Sequence, residues 1–481
     1  MASRMLRFVD VAERRPSKRV PEARRKDFRE IYDNFKPAAA RKQAGRCSQC
    51  GVPFCQVHCP LHNNIPDWLM LTAEGRLEEA YEIASATNNL PEICGRICPH
   101  DRLCEGNCVI EQAGHGTVTI GSVETYITET AWANGWVRPP LPRRELDRSV
   151  GVVGGGPGGL AAAEQLRKKG YRVDVYDRYD RIGGLLVYGI PNFKLDKKVV
   201  ERRARLLAEG GIRFHTEFEV GRDASLAELR ARHDAIVLAT GAYKGRDMAM
   251  PGIGLGNIFQ AMEYLTASNR KGLGDAVPRF DDGTLNAAGK DVVVIGAGDT
   301  AMDCVRTAVR QGSKSVRCLY RRNRANMPGS MREVQHAMEE GVEFVWLTQP
   351  EAFLGNGTVQ AVRTVRMRLG AADASGRQTP RVIEDSQFTI PADLVIKALG
   401  FDLEDMPSLL GAPQLGVTRS GTIAINFKTL MTTLDGVFAI GDAVRGASLV
   451  VWAIRDGRDA AESIHAYLQE NAAEGESREA A

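Results

Sequence analysis

Eight of the ten cysteines lie between residues 47 and 108, in two quartets. The first runs Cys47-x2-Cys50-x4-Cys55-x3-Cys59, with Pro60 following. The second runs Cys94-x3-Cys98-x5-Cys104-x3-Cys108, with Pro99 after Cys98. A disulfide framework suits small secreted domains. Here the opening MASRMLRFVDVAERR has positive charge but no apolar signal core, so a cytoplasmic protein is expected. Structural zinc is a stronger alternative, because eight thiolates could close two tetrahedral sites. The first spacing, however, is close to the ferredoxin run Cys-x2-Cys-x2-Cys-x3-Cys-Pro, whose fourth cysteine serves the other cluster. Iron–sulfur chemistry is therefore preferred to zinc. A dithiol at Cys47 and Cys50 would need a surrounding βαβ pattern, and none is present. By the ferredoxin logic, Cys47, Cys50, Cys55 and Cys108 serve one cluster. Cys59 crosses over to Cys98 and Cys104, and counting supplies Cys94 as the fourth. His58, His62 and His100 stand beside cysteines and suit supporting or surface positions better than ligation. Cys304 and Cys318 are isolated and read as small buried hydrophobes.

A second chemistry begins at residue 149. In SVGVVGGGPGGLAAAEQLRKKGYRVDVYDR, an apolar strand ends at Gly154 and Gly154-x-Gly156-x-x-Gly159 makes the turn. Leu160 to Lys169 forms the helix, and a second strand, Arg172 to Tyr176, ends at Asp177. Gly154 turns tightly, Gly156 admits a pyrophosphate, and Gly159 lets helix and strand pack. The pyrophosphate would face a helix N-terminus, and Asp177 could bind a ribose diol. The pattern returns in DVVVIGAGDTAMDCVRTAVRQGSKSVRCLYRR, as Gly296-x-Gly298-x-x-Ala301. Arg321 and Arg322 stand where an acid would follow. Arginine there accommodates a 2′-phosphate, which favours NADPH over NADH; covering the sheet edge is the alternative. Two nucleotide folds suggest flavin plus nicotinamide. Ile236–Gly241, Val395–Gly400 and Gly436–Asp442 add strands that run into glycine turns.

These motifs need three modules to carry them, which agrees with 481 residues. Hydrophobic residues are 43% and charged residues 26%, which excludes wholesale disorder and fibres. No apolar run reaches the 18 or so residues of a membrane helix, so no membrane association is expected. Net charge is +3, so nucleic acid is not the default partner. Residues 1–46 are strongly basic and could dock on an acidic partner or on nucleic acid, or form a solvated face. Between the quartets, IPDWLMLTAEGRLEEAYEIASATNN reads as one helix from apolar residues at three- and four-residue steps. RPPLPRREL, 138–146, reads as a linker. The fold class expected is α/β: two Rossmann-like domains plus a mainly helical N-terminal iron–sulfur domain. Its boundaries are 1–147 for the clusters, 148–274 with 399–470 for the first nucleotide domain, 275–398 for the second inserted within it, and a disordered tail, 471–481.

The order of these motifs resembles the two-dinucleotide flavoprotein reductases. With CSQCGVPFCQVHCP, ICGRICPHDRLCEGNC, GGGPGGLAAAEQL and YRRNRANMPGS, it resembles the family of small (beta) subunits of bacterial NADPH-dependent glutamate synthase over nearly the whole chain. Related modules occur in dihydropyrimidine dehydrogenase and in an electron-bifurcating ferredoxin:NADP oxidoreductase. The resemblance implies FAD at Gly154, Gly156, Gly159, Asp177, Gly184, Thr240, Gly241, Gly441 and Asp442, with Leu449 and Val450 beside the ring. It implies NADPH at Gly296, Gly298, Asp299, Thr300, Arg321 and Arg322, and two 4Fe–4S clusters. Some relatives use a carboxylate or amide as one cluster ligand, which makes Glu124 a rival to Cys94. Hydride transfer between cofactors would need no catalytic side chain. The partner implied is a large (alpha) subunit that forms glutamate from glutamine and 2-oxoglutarate, in a hetero-oligomer. The alternatives are another acceptor (ferredoxin, sulfide or a pyrimidine) or a zinc-stapled flavoprotein. No Cys-x-x-Cys stands in the second nucleotide domain, so exit by dithiol exchange is not expected.

Overall fold

The computed structural model describes residues 5–374, 376 and 378–479, with side chains as far as Asn471. The cysteine region is helical. The stretch expected as one helix is two, Ile65–Glu74 (α1) and Leu77–Thr87 (α2). Gly75 divides them at φ 86°, in the left-handed region that glycine adopts without a Cβ clash. The Arg76 amide then bonds back to the Leu71 carbonyl at 2.9 Å, closing the end of α1. The apolar spacing remains valid within each helix: α1 buries Ile65, Trp68, Leu69 and Leu71, and α2 buries Ala80, Tyr81 and Ala84. Pro91–Ile97 (α3) carries Cys94 and Ile120–Ala133 (α4) carries Glu124. Gly95 lets these two helices touch, since a Cβ there would meet Thr125 Oγ1 at 2.6 Å.

Next come Ser149–Val153 (β1), Pro157–Lys168 (α5), Arg172–Tyr176 (β2), Arg213–His215 (β3) and Ala235–Leu238 (β4). The helix starts three residues before the expected Leu160, because Pro157 at its first position is already set for helical φ. Ile258–Gln260 (β5), Asp291–Ile295 (β6), Asp299–Arg310 (α6), Ser315–Tyr320 (β7), Met331–Glu339 (α7), Glu343–Trp346 (β8) and Leu394–Lys397 (β9) build a second unit. The chain then returns to the first sheet with Val437–Ala439 (β10) and ends in the long helix Val450–Glu479 (α8). The two five-stranded sheets are parallel, in the orders β10-β4-β1-β2-β3 and β5-β9-β6-β7-β8, and an antiparallel sheet within 348–391 is added to the second unit. Their central strands β1 and β6 are fully buried, as parallel strands covered on both faces must be, while the edge strands β3 and β8 are partly exposed. Because β5 pairs with β9, the inserted unit begins before residue 258, earlier than the expected 275. Strand pairing, invisible to local pattern, sets that boundary. Helix α8 extends into the segment expected to be a disordered tail; residues 480 and 481 lie outside the described residues. Cys304 and Cys318 are fully buried in the second unit.

Ion pairs join the three modules. Glu92 on α3 is fully buried and accepts two hydrogen bonds from Arg203 of the first nucleotide unit, at 2.7 and 2.9 Å. Arg455 and Arg458 of α8 donate to the Pro60 carbonyl and to Asn89 Oδ1. Part of the basic N-terminal arm is engaged within the molecule, while Arg7, Arg14, Arg25, Lys26, Lys36, Arg41 and Lys42 remain exposed. Lys18 and Arg24 both pair with Glu339, Arg15 pairs with Glu105, and Tyr32 bonds His336. Arg46 is fully buried among backbone carbonyls, including those of His115 and Gly116. The exposed remainder fits the expected solvated face.

Candidate active site and electron-transfer centre

The first sheet reverses its strand order between β1 and β4, and a cavity of about 640 Å³ opens at the carboxyl ends of these strands. Gly154, Gly156, Asp177, Gly184, Thr240, Gly241, Gly441, Asp442, Leu449 and Val450 all line it. Gly159 does not line it; its place is tight packing, since a Cβ would lie 1.9 Å from the Gly154 carbonyl. Gly154 has φ 108°, and a Cβ there would strike the Ala239 carbonyl at 2.3 Å. Beside Gly156, by contrast, a Cβ would meet nothing within 4 Å. That open space in front of α5 fits a pyrophosphate. Asp177 accepts the Gly155 and Tyr179 amides at 2.7 and 2.8 Å, which orients it, while burial raises its pKa. Burial pushes Asp442 up to about 6, against the Ser448 amide it accepts.

The second unit repeats this geometry. Gly296 has φ 139° and abuts the Ala398 carbonyl as Gly154 abuts that of Ala239, and a Cβ on Gly298 would again meet nothing. Asp299 and Thr300, at the start of α6, line the large cavity; Gly296, Gly298, Arg321 and Arg322 do not. The two arginines follow β7, Arg321 exposed and Arg322 half-buried, with no acidic partner among the described residues. The Arg322 Nε is buried without a partner, as suits a group awaiting an anion. Residue patterns gave no sign of several wall residues. Arg178 stacks on Tyr243, 4.5 Å from its ring centroid, and pairs with Glu404. Lys194 pairs with Asp303 at 2.8 Å near Glu333. An Arg immediately after Asp177 was the only local cue.

The cysteines fall into two groups. Cys47, Cys50, Cys55 and Cys108 are neighbours: burial pushes Cys55 up to about 12, and Cys47, Cys108 and Cys50 reinforce it. Cys47 is held near 11 by burial, with Cys108 and Cys50 beside it. Cys59, Cys94, Cys98, Cys104 and Glu124 line a second, smaller cavity. Cys108 has therefore joined the first quartet and Cys59 the second. Cys94 and Glu124 reach the same wall. Cys94 Sγ lies 3.8 Å from Asn88 Oδ1, and Asn88 donates to Glu124 at 3.3 Å. Burial pushes the Glu124 carboxyl up to about 8, and no cation pairs with it among the described residues. Cluster iron beside Cys47 and Cys55 would supply the positive charge that favours their thiolates. Among the described residues no three His, Cys, Asp or Glu side chains converge for one ion. Thiolates on one zinc would stand about 3.8 Å apart. Cys98 and Val451 line both cavities, so the second group adjoins the dinucleotide space. No helix of the described residues is long and apolar enough to cross a membrane.

Known proteins agree with this division. Residues 24–136 match the family model described as dihydropyrimidine dehydrogenase domain II, 4Fe-4S cluster, and residues 148–457 match pyridine nucleotide-disulphide oxidoreductase. The structure of Mycobacterium tuberculosis FprA in complex with NADPH shares the fold, with a TM-score of 0.57 at 21% identity over 68% of this chain and 86% of that one. Fold and family models together define an iron–sulfur-bearing pyridine nucleotide oxidoreductase. The glutamate synthase [NADPH] small chain of Azospirillum brasilense is 68% identical over 98% of this chain and 97% of its own. That of Escherichia coli is 42% identical over 98% and 100%. The chain belongs to the family of glutamate synthase [NADPH] small chains.

Proposed function

We propose that this chain is the electron-input subunit of a glutamate synthase, carrying FAD, NADPH and two 4Fe–4S clusters. Bound together, these groups would accept a hydride from NADPH at the flavin and release single electrons through the clusters. One observation carries the reading: a single cavity is lined by the first glycine fingerprint, by Asp299 and Thr300 of the second, and by Cys98. Gly154, Gly156 and the start of α5 would hold the FAD pyrophosphate, Asp177 its ribose, and Leu449 and Val450 the ring. The N-terminus of α8 faces that space, where its partial positive charge would favour a reduced, anionic ring. Gly298, Thr300, Arg321 and Arg322 would hold NADPH. Cys59, Cys98 and Cys104, with Cys94 in preference to Glu124, would ligate the cluster nearer the flavin. Cys47, Cys50, Cys55 and Cys108 would ligate the outer one. Around the outer group Val52, Phe54, Val57 and Val109 are exposed, which supports docking of the large subunit there.

The test is the isolated, anaerobically purified chain. It should contain about eight iron and labile sulfide, and reduce artificial acceptors with NADPH. It should form no glutamate from glutamine and 2-oxoglutarate until the large subunit is added. Glutamate formation by this chain alone, or about two zinc in place of iron, refutes the proposal.

A further inference from the structure

His100 follows Cys98 and Pro99 and opens the short turn His100–Arg102. Its ring is 2% exposed and lines the smaller cavity with Cys59, Cys94, Cys98 and Cys104. Gly121 makes room for it, since a Cβ there would stand 2.3 Å from the ring Nε2. From α7 of the second nucleotide unit, Arg332 reaches His100 Nδ1 at 3.0 Å and the Cys98 carbonyl at 3.4 Å. A guanidinium has only donors, so Nδ1 accepts and the neutral ring carries its proton on Nε2. That Nε2–H is buried and has no hydrogen-bond partner in the protein. The neighbouring acid Glu105 is already engaged, one oxygen with the Gly121 amide and the other with Arg15. Buried donors are almost always satisfied, so the acceptor belongs to something the cavity holds.

We propose that His100 donates its Nε2–H to a sulfur of the inner 4Fe–4S cluster, and that Arg332 holds the ring in the donating tautomer. This rests on the cluster reading above. The cluster gains negative charge on reduction, so a donor to its sulfur stabilises the reduced form and raises its potential. Arg332 also lines the dinucleotide cavity. The nicotinamide unit thus supplies the residue that sets the tautomer beside the first electron acceptor after the flavin. His100 contacts the cofactor; Arg332 is a positioning residue.

The experiment is an anaerobic redox titration of the full chain followed by spin resonance, with iron and sulfide counted in every sample. His100→Leu should shift the oxidised-to-reduced ratio of one cluster about tenfold toward oxidised at fixed potential, equal to about 59 mV for one electron. The other cluster should not move. His100→Gln, which restores an N–H at similar reach, should recover most of the shift. Arg332→Met should give a smaller shift in the same cluster, and Arg332→Lys should reverse it. A His100→Leu protein with full iron and unshifted potentials overturns the proposal. Should that variant fail to take up iron, the wild-type chain labelled with 15N-histidine decides. Pulsed spin resonance of the reduced cluster should show a histidine nitrogen and a proton exchangeable in D2O, and the absence of both overturns the donor. Zinc in place of iron in the wild type would instead refute the cluster reading itself.

Discussion

Replacing Arg321 and Arg322 together by alanine tests the coenzyme choice where the chain has most at stake. Arg322 is half-buried with its Nε unpartnered, and Arg321 is exposed beside it. A hydrogen bond to a charged group contributes about 1.5–3 kcal/mol. The exposed Arg321 is screened by solvent and adds little, so one full contact from Arg322 is the working figure. At about 1.4 kcal/mol per factor of ten, its loss lowers kcat/KM for NADPH about 10- to 150-fold. NADH has no 2′-phosphate, so its kcat/KM should hardly change. The assay is steady-state reduction of a dye acceptor over a range of both coenzymes, with flavin content matched. The ratio of the two kcat/KM values should fall by the full factor, and Arg322→Ala alone should give most of it. Equal losses with both coenzymes would show that these arginines brace the sheet edge and read no phosphate.

Three further outcomes are expected. Cys94→Ala should lose or alter one cluster by iron content and low-temperature spin resonance, while Glu124→Ala keeps both; the reverse result gives the ligand position to the carboxylate. Glu92→Ala leaves Arg203 buried without its partner and should cost about 3–5 kcal/mol in denaturant unfolding, whereas an effect under about 1 kcal/mol would show that this pair does not hold the modules together. At Glu340 burial alone would raise the pKa, but Arg310 and Arg306 outweigh it and hold the carboxyl at about 2. Its contribution is therefore complete above the unfolded value near 4.5 and lost as pH falls toward 2, about 3 kcal/mol in all. Glu340→Gln should flatten the acid limb of stability measured from pH 5 to 3, and an unchanged limb would refute this.

Both nucleotide folds were legible because the glycines in their fingerprints fall where the backbone either packs too closely for a Cβ or opens onto the binding space. Gly154 and Gly296 face carbonyls that no Cβ could clear, while Gly156 and Gly298 face open space. The exchange of Cys59 and Cys108 between quartets is a reading of spacing, and the neighbours each thiol has support the ligand sets proposed above. Local pattern could not supply what depends on distant pairing. Strand β5 looks like part of the first unit until it pairs with β9. Gly75 is an ordinary helix residue until its φ becomes positive. The wall residues Arg178, Lys194 and Arg332 carry no motif, because their partners Glu404, Asp303 and Cys98 lie 226, 109 and 234 positions away. His100 was visible as a residue beside a cysteine, but its orphaned nitrogen was not.

Arg24 ends up fully buried, and its hydrogen-bonding carboxylate, Glu339, lies 315 positions further along the chain. A ribosome adding about 5–20 residues per second reaches that carboxylate roughly 15–60 s after it has placed the arginine. Throughout that interval Lys18 and Arg24 have emerged and Glu339 has not been made. The cluster-bearing helices, complete by residue 136, can assemble meanwhile, but the arm must wait. Lys18 and Arg24 are therefore without their carboxylate in the newborn chain, and their docking waits for the final third of the sequence. Stalling synthesis before residue 339 should leave that arm open to protease, and stalling well beyond it should close it.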